Sequence, residues 1–269
     1  MTSRMTSAKA PPLLTHLCLP STVVAEHLLS AGFDGYVLDL QHGELDTAGA
    51  LRILHTSSRT ARSAYARLAG LDAAVIGRLL DSGCTGVIAP MVETPEQCRA
   101  LVRACYYAPL GVRSYGPLRP RLYEGHEGYE GYEGDDFGDA ANAAVAPIIQ
   151  IESVRGVENA DALLSVPGVR GVYLGPADLA RSMGHGFGTD WADGPVREAM
   201  EHVAAVARRH GAEVGIFCAG PEYAAAAARW LPADFLALAG DLMFLNRAAR
   251  RDLDGYRQAA THQETGERT

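Results

Sequence analysis

The chain has 269 residues, 48% of them apolar and 21% charged, and a formal net charge of −8. This composition excludes a disordered chain, and the length suits two small domains or one α/β barrel of about 250 residues. The acidic balance offers no basic face for nucleic acid, and no apolar run reaches the ~18 residues of a membrane span.

Two finer features of composition narrow the chemistry. The N-terminus has no apolar signal core, and Cys18, Cys84, Cys98, Cys105 and Cys218 are scattered without a CxxC pair. Both suit a cytoplasmic protein with reduced thiols. Of the 24 basic residues only Lys9 is a lysine, and it lies in the polar tail. Schiff-base catalysis needs a buried lysine of lowered pKa, so lysine-based carbonyl chemistry is excluded.

In chain order, 13–19 reads as a first strand stopped at Pro20. Ser21 or Thr22 caps a helix over 23–31 that Gly32 closes. Residues 35–39 form the second strand, and Asp46 caps a helix reaching about 58. The third strand is 63–67, with a helix over 73–81 stopped by Gly83. The fourth is 86–90, and Thr94-Pro95 opens a helix to 105, with proline at its favoured first position. Residues 109–141 lack periodicity and carry Tyr-Glu-Gly from 123, 129 and 132 and His-Glu-Gly from 126. This stretch reads as a mobile loop or lid, or equally as a solvated low-complexity insertion. Beyond it come strands at 146–151, 171–174, 213–217 and 234–239. The helices between and after them cover about 156–165, 196–210, 221–230 and 242–260.

Eight strands alternating with eight helices predict a single (β/α)8 barrel over 13–260, flanked by polar tails at 1–12 and 261–269. A doubly wound sheet is the alternative, but it needs no particular strand number. Active sites of such barrels gather at the C-terminal strand ends. Those ends carry Asp39 and His42, Arg67, Gln150 and Glu152, Gly175, Pro176 and Asp178, and finally Asp241. Singly each is weak, because a lone histidine is usually a loop residue and a lone acid a helix cap. Glu152 and Asp178, at the mouths of two buried strands, repel each other unless a proton or cation intervenes. Oxygen-only ligands suit Mg²⁺ or Mn²⁺ better than zinc.

Gly32-Phe-Asp34, Asp39-Leu-Gln-His42, Arg67, Pro90-Met91, Gln150-Ile-Glu152 and Gly175-Pro-Ala-Asp-Leu179 together resemble the HpcH/HpaI aldolase/citrate lyase family. These are metal-dependent 2-oxo-acid aldolases, a group that includes 4-hydroxy-2-oxoheptanedioate aldolase and 2-dehydro-3-deoxyglucarate aldolase. The likeness runs from about Leu13 to Ala249. It implies a barrel of the phosphoenolpyruvate/pyruvate type, commonly a homohexamer built as a trimer of dimers, with the last helix exchanged between subunits. It implies Glu152 and Asp178 as metal ligands. Arg67 would steady the enolate oxygen, and Gln150, Gly175, Pro176, Ala177 and Asp178 would line the substrate. His42 would move the proton, paired with Asp81, which pattern alone reads as an ordinary helix-end acid. Gln41 stands where several relatives carry glutamate, and Ala180 where serine is frequent.

The expected activity is a class II aldolase using Mg²⁺, Mn²⁺ or Co²⁺. It would reversibly cleave a 4-hydroxy-2-oxo acid to pyruvate and an aldehyde through an enolate. The same enolate could serve decarboxylation or condensation, as in an oxaloacetate decarboxylase, a citrate-synthase-like enzyme or a biosynthetic tailoring enzyme. A non-catalytic oxo-acid-binding barrel is the rival from another class.

Overall fold

The structure, a computed structural model, describes residues 10–57, 63–119 and 137–266. The tail around Lys9, the repeat at 123–134 and the last three residues lie outside this range. Among the described residues, eight parallel strands close into a barrel in chain order, with the eighth returning to the first. They are β1 (Leu13–Leu17), β2 (Gly35–Asp39), β3 (Ser63–Arg67), β4 (Gly86–Ala89), β5 (Ala146–Ile151), β6 (Gly171–Leu174), β7 (Glu213–Cys218) and β8 (Phe235–Gly240). The fold is the expected (β/α)8 barrel.

Local chemistry sets the helix starts. In α1 (Thr22–Ser30) the cap is Ser21, whose Oγ accepts from the Val24 amide at 3.3 Å. Asp46 Oδ1 accepts from Gly49 N at 2.6 Å at the head of α2 (Thr47–Ser57). Asp72 caps α3 (Ala73–Asp81), accepting from Ala74 N at 2.8 Å. Thr94 and Gln97 form a capping box on α4 (Pro95–Cys105), satisfying two amides that the helix leaves unpaired.

Besides small shifts at other element ends and a last helix that runs on to residue 266 where 260 was expected, the structure departs from the sequence reading in four places. β1 ends at Leu17 because the Cys18 and Leu19 amides turn to the Asp241 carboxylate, at 3.0 and 2.9 Å. A helix, α5 (Phe137–Ala144), begins inside the stretch read as a loop. The single helix expected at 156–165 is two, α6 (Val154–Glu158) and α7 (Ala160–Leu164). They break at Asn159, whose side-chain amide donates to the Glu93 carbonyl at 2.8 Å. Most relevant to function, Gly175-Pro-Ala-Asp opens directly into a short helix, α8 (Pro176–Ser182). The remaining helices are α9 (Gly194–Arg209), α10 (Pro221–Trp230) and α11 (Asp241–Gly266).

Strands buried on both faces carry continuous apolar runs, because one face packs into the barrel and the other onto the helices. Outside, Leu38, Val87, Ile149, Val172 and Ile216 pack with helix residues such as Ile53, Leu79 and Met200. Inside, Leu14, Val37, Tyr65, Ile148, Tyr173 and Phe235 fill the lower barrel. The Phe235 ring lies 5.1 Å from that of Tyr65 and 5.9 Å from that of Tyr173. Gly215 makes room for it, since a Cβ there would lie 2.1 Å from the ring. Gly215→Ala should therefore destabilise the fold by ~1–3 kcal/mol through overpacking. Urea unfolding measures this, and adding Phe235→Leu should recover most of the loss.

Candidate active site

Above that apolar filling the barrel interior turns polar, and a cavity of about 260 Å³ opens at the C-terminal ends of the strands. Its walls include His42, Arg67, Gln150, Gly175, Pro176, Ala177 and Asp178, all seven among the residues read from the sequence as site candidates. Thr189, between α8 and α9, and Phe217, on β7, also line it and were not foreseen. Phe217 was hidden in an apolar run, where inward and outward faces cannot be told apart by period alone.

Arg67 is fixed by Asp39. Its Nε and Nη2 donate to the two Asp39 oxygens at 3.1 and 2.5 Å, a bidentate fork that sets the guanidinium plane. Asp39 Oδ1 also accepts from the Gln41 and His42 amides, each at 3.1 Å. Burial opposes ionisation of Asp39, but hydrogen bonds from His16 and Arg67 outweigh it and hold the carboxyl well below the usual range. The rim acid of the sequence reading is thus a permanently charged counter-ion. It orients Arg67 and anchors the turn that carries His42.

Glu152 is 2% exposed, with Oε1 accepting from the Met91 amide at 2.7 Å and Oε2 from the Gln150 side chain. Met91 holds φ at 52°, a left-handed conformation that is costly outside glycine. The strained residue directs its N–H at this carboxylate. Gly175 is required by close approach, because a Cβ would fall 2.6 Å from Glu152 Oε2 and 2.8 Å from Gln150 Nε2. Burial pushes Glu152 up to about 7, and the neighbouring charge of Asp178 adds to it. Two hard carboxylates, one desolvated and each raising the energy of the other, fit a divalent cation held by two protein oxygens and otherwise by substrate and water. Among the described residues no group of three or more His, Cys, Asp or Glu that could hold a metal ion gathers.

Two acids turn out to stand elsewhere. Asp241 caps the exit of β1 as described and does not line the cavity. Asp81 pairs with Arg113 and accepts from the Tyr107 hydroxyl at 3.3 Å. No contact with His42 is seen within the described residues.

The site matches a known group of enzymes along the whole barrel. Residues 14–246 fit the model of HpcH/HpaI aldolase/citrate lyase. The chain belongs to that family. Membership makes it a carbon–carbon lyase, as the sequence reading expected. A hydroxypyruvate/pyruvate aldolase of Rhizorhabdus wittichii is 36% identical over 241 residues, covering 90% of this chain and 92% of the relative. A 5-keto-4-deoxy-D-glucarate aldolase of Klebsiella pneumoniae subsp. pneumoniae is 30% identical over 240 residues, covering 89% and 90%. The crystal structure of an HpcH/HpaI aldolase from Desulfitobacterium hafniense superposes with a TM-score of 0.81 at 26% identity, covering 92% of this chain and 93% of that one.

The raised Glu152 carboxyl has a thermodynamic consequence. In metal-free protein the folded state keeps its proton up to about pH 7, whereas the ordinary value is 4.5. Between these values the native state binds more protons than the unfolded one, so stability falls as pH rises, by ~3 kcal/mol in total from this group. Urea unfolding in EDTA from pH 4 to 8 should show that decline in wild type relative to Glu152→Gln, which has nothing there to titrate.

Proposed function

We propose that the chain is a divalent-metal-dependent aldolase that reversibly cleaves a 4-hydroxy-2-oxo acid to pyruvate and an aldehyde. One observation carries the reading. A single cavity joins the Asp178 carboxylate, a guanidinium locked in plane and a histidine at the mouth, and the desolvated Glu152 carboxylate is bonded directly to its lining residue Gln150. Held by Glu152 and Asp178, Mg²⁺, Mn²⁺ or Co²⁺ would supply Lewis acidity to the 2-oxo acid.

The other steps belong to the chain. Arg67, pre-aimed by Asp39, donates to the oxygen on which negative charge develops as the enolate forms. Gly175, Pro176 and Ala177 form the wall that the head of α8 presents to the substrate. Gln150 spends its Nε2 on Glu152, while its Oε1 is buried without a hydrogen-bond partner among the described residues. His42, exposed at the mouth, accepts the 4-hydroxyl proton as C3–C4 cleaves, and the enolate then takes up a proton at C3. The orphaned Gln150 acceptor favours one extension: a donor bearing a 3-hydroxyl would satisfy it. The first relative above is named for such a donor, hydroxypyruvate.

The assembly proposed is a homo-oligomer, a hexamer. Along α11, Leu245 is 62% exposed, Leu253 49% and Tyr256 72%, apolar surface that suits a second copy of the chain. Asp81 retains an accessible edge, so a second copy can bring its own Asp81 to His42. Five free, largely buried thiols suit a reducing compartment, the cytoplasm.

The test is proton exchange at C3 of pyruvate and of hydroxypyruvate, followed by NMR in D₂O. Exchange should require Mn²⁺ or Mg²⁺, stop with EDTA, vanish in Glu152→Ala, and fall ~10²-fold or more in Arg67→Ala. Absence of exchange with every divalent metal would move the decarboxylase and binding-protein readings ahead. Sedimentation velocity checks the assembly: the full chain should run as a hexamer, and a chain ending at residue 249 as smaller species.

A further inference from the structure

Beneath the cavity lies a chain of polar contacts whose inner members, His16 and Tyr173, the mechanism above does not use. His16, on β1, is 3% exposed and points into the barrel. Its Nε2 lies 2.9 Å from the Tyr173 hydroxyl, on β6. Its Nδ1 lies 3.5 Å from Asp39 Oδ2, the oxygen that also receives Arg67 Nη2 at 2.5 Å. The edge of the Phe217 ring, with centroids 5.3 Å apart, closes the side toward the pocket. A polar chain thus crosses the barrel from β6 through β1 and β2 to β3.

We propose that His16 and Tyr173 are positioning residues for Arg67. In this arrangement Tyr173 donates to His16 Nε2, so that His16 presents Nδ1–H to Asp39 and fixes the carboxylate on which the guanidinium is registered.

The tautomer follows from the surroundings. Burial lowers the pKa of His16 and keeps the ring neutral, with one donor and one acceptor nitrogen. A lone pair facing the Asp39 carboxylate would be repelled, so the proton belongs on Nδ1. Nε2 is then an acceptor, and among the described residues the polar group against it is the Tyr173 hydroxyl. Tyr173 is itself fully buried, in an otherwise apolar layer with Leu14, Val37, Ile148 and Phe235. A phenol there needs a partner, and His16 is the partner it has. Without Tyr173 the Nε2 acceptor would lose its partner and the ring its second anchor, so Asp39 would lose a fixed neighbour on the oxygen that holds Arg67. The second atom of the fork would keep its bonds to the Gln41 and His42 amides. The loss should therefore be one of alignment rather than of the ion pair.

The role of the chain in turnover rests on the aldolase reading; its hydrogen-bond arrangement does not. Two measurements on the full-length, metal-loaded protein separate them. Long-range ¹H–¹⁵N NMR reads the tautomer, with the His16 signal assigned by its absence in His16→Asn. The expected result is Nδ1–H with an unprotonated Nε2 in wild type, and in Tyr173→Phe the same tautomer with the Nε2 signal shifted by loss of its hydrogen bond. Kinetically, His16→Leu and Tyr173→Phe should lower kcat for C3 exchange ~10-fold while KM moves by less than ~3-fold. His16→Asn places an amide donor near the Nδ1 position and should stay within ~3-fold of wild type. A merely structural role predicts the opposite order, because leucine fills the site better than asparagine. An Nε2–H tautomer in wild type, or His16→Leu at least as active as His16→Asn, overturns the proposal. Wild-type protein with the expected tautomer but no exchange would overturn the aldolase reading and leave the hydrogen-bond chain standing.

Discussion

A closed parallel barrel must put the C-terminal ends of all its strands on one rim, because every strand runs the same way between its helices. That constraint brings His42, Arg67, Gln150, Asp178 and Phe217 to one cavity although they are far apart in the chain. It also divides the interior. Below, aromatic and branched side chains fill the barrel and exclude water. Above, the walls stay low in dielectric, so each charge placed there acts strongly on its neighbours. The site follows from this gradient.

Two electrostatic problems arise at that height and are solved differently. The Arg67 charge is compensated within the protein by Asp39, which takes four hydrogen bonds from Arg67 and the following turn. That pair has little net charge and a fixed plane, which suits an anion clamp. Glu152 is left uncompensated. It has a backbone amide and a side-chain amide as donors, Arg67 as a more distant favourable charge, no ion-pair partner among the described residues, and Asp178 as a like-charged neighbour. A protein that buries a carboxylate in this way incurs a folding cost above neutral pH, and a bound cation would remove it. The strained Met91 and the side-chain-free Gly175 are the local means by which Glu152 is held in place.

How much of this was legible in the sequence depends on the kind of interaction. Glu152 and Asp178 each follow an apolar strand run directly, so their place at a rim could be read from local pattern. His42 and Arg67 were legible for the same reason. Phe217 and Thr189 were not, the first concealed in a doubly buried strand and the second in an irregular loop. His16 was missed although a histidine inside the apolar run 13–17 was visible, because its partners on β2 and β6 lie 23 and 157 residues away. Asp241 illustrates the reverse error: an acid after a strand was counted among the rim groups when its contacts are those of a cap, whereas Asp81, given a role only by the family resemblance, is paired within its own chain to Arg113.

What the sequence determined by itself was everything with a short range. The alternation of strand and helix, the caps at Ser21, Asp46, Asp72 and Thr94, the absence of a usable lysine, and the family motif all depend on neighbours a few residues apart. Only the tertiary structure decided which polar groups meet. Closure of the barrel turned Asp39 from a rim acid into the counter-ion of Arg67, desolvated Glu152, and set Tyr173 against His16. Those outcomes depend on strand register and burial, quantities that exist only once distant segments are packed together.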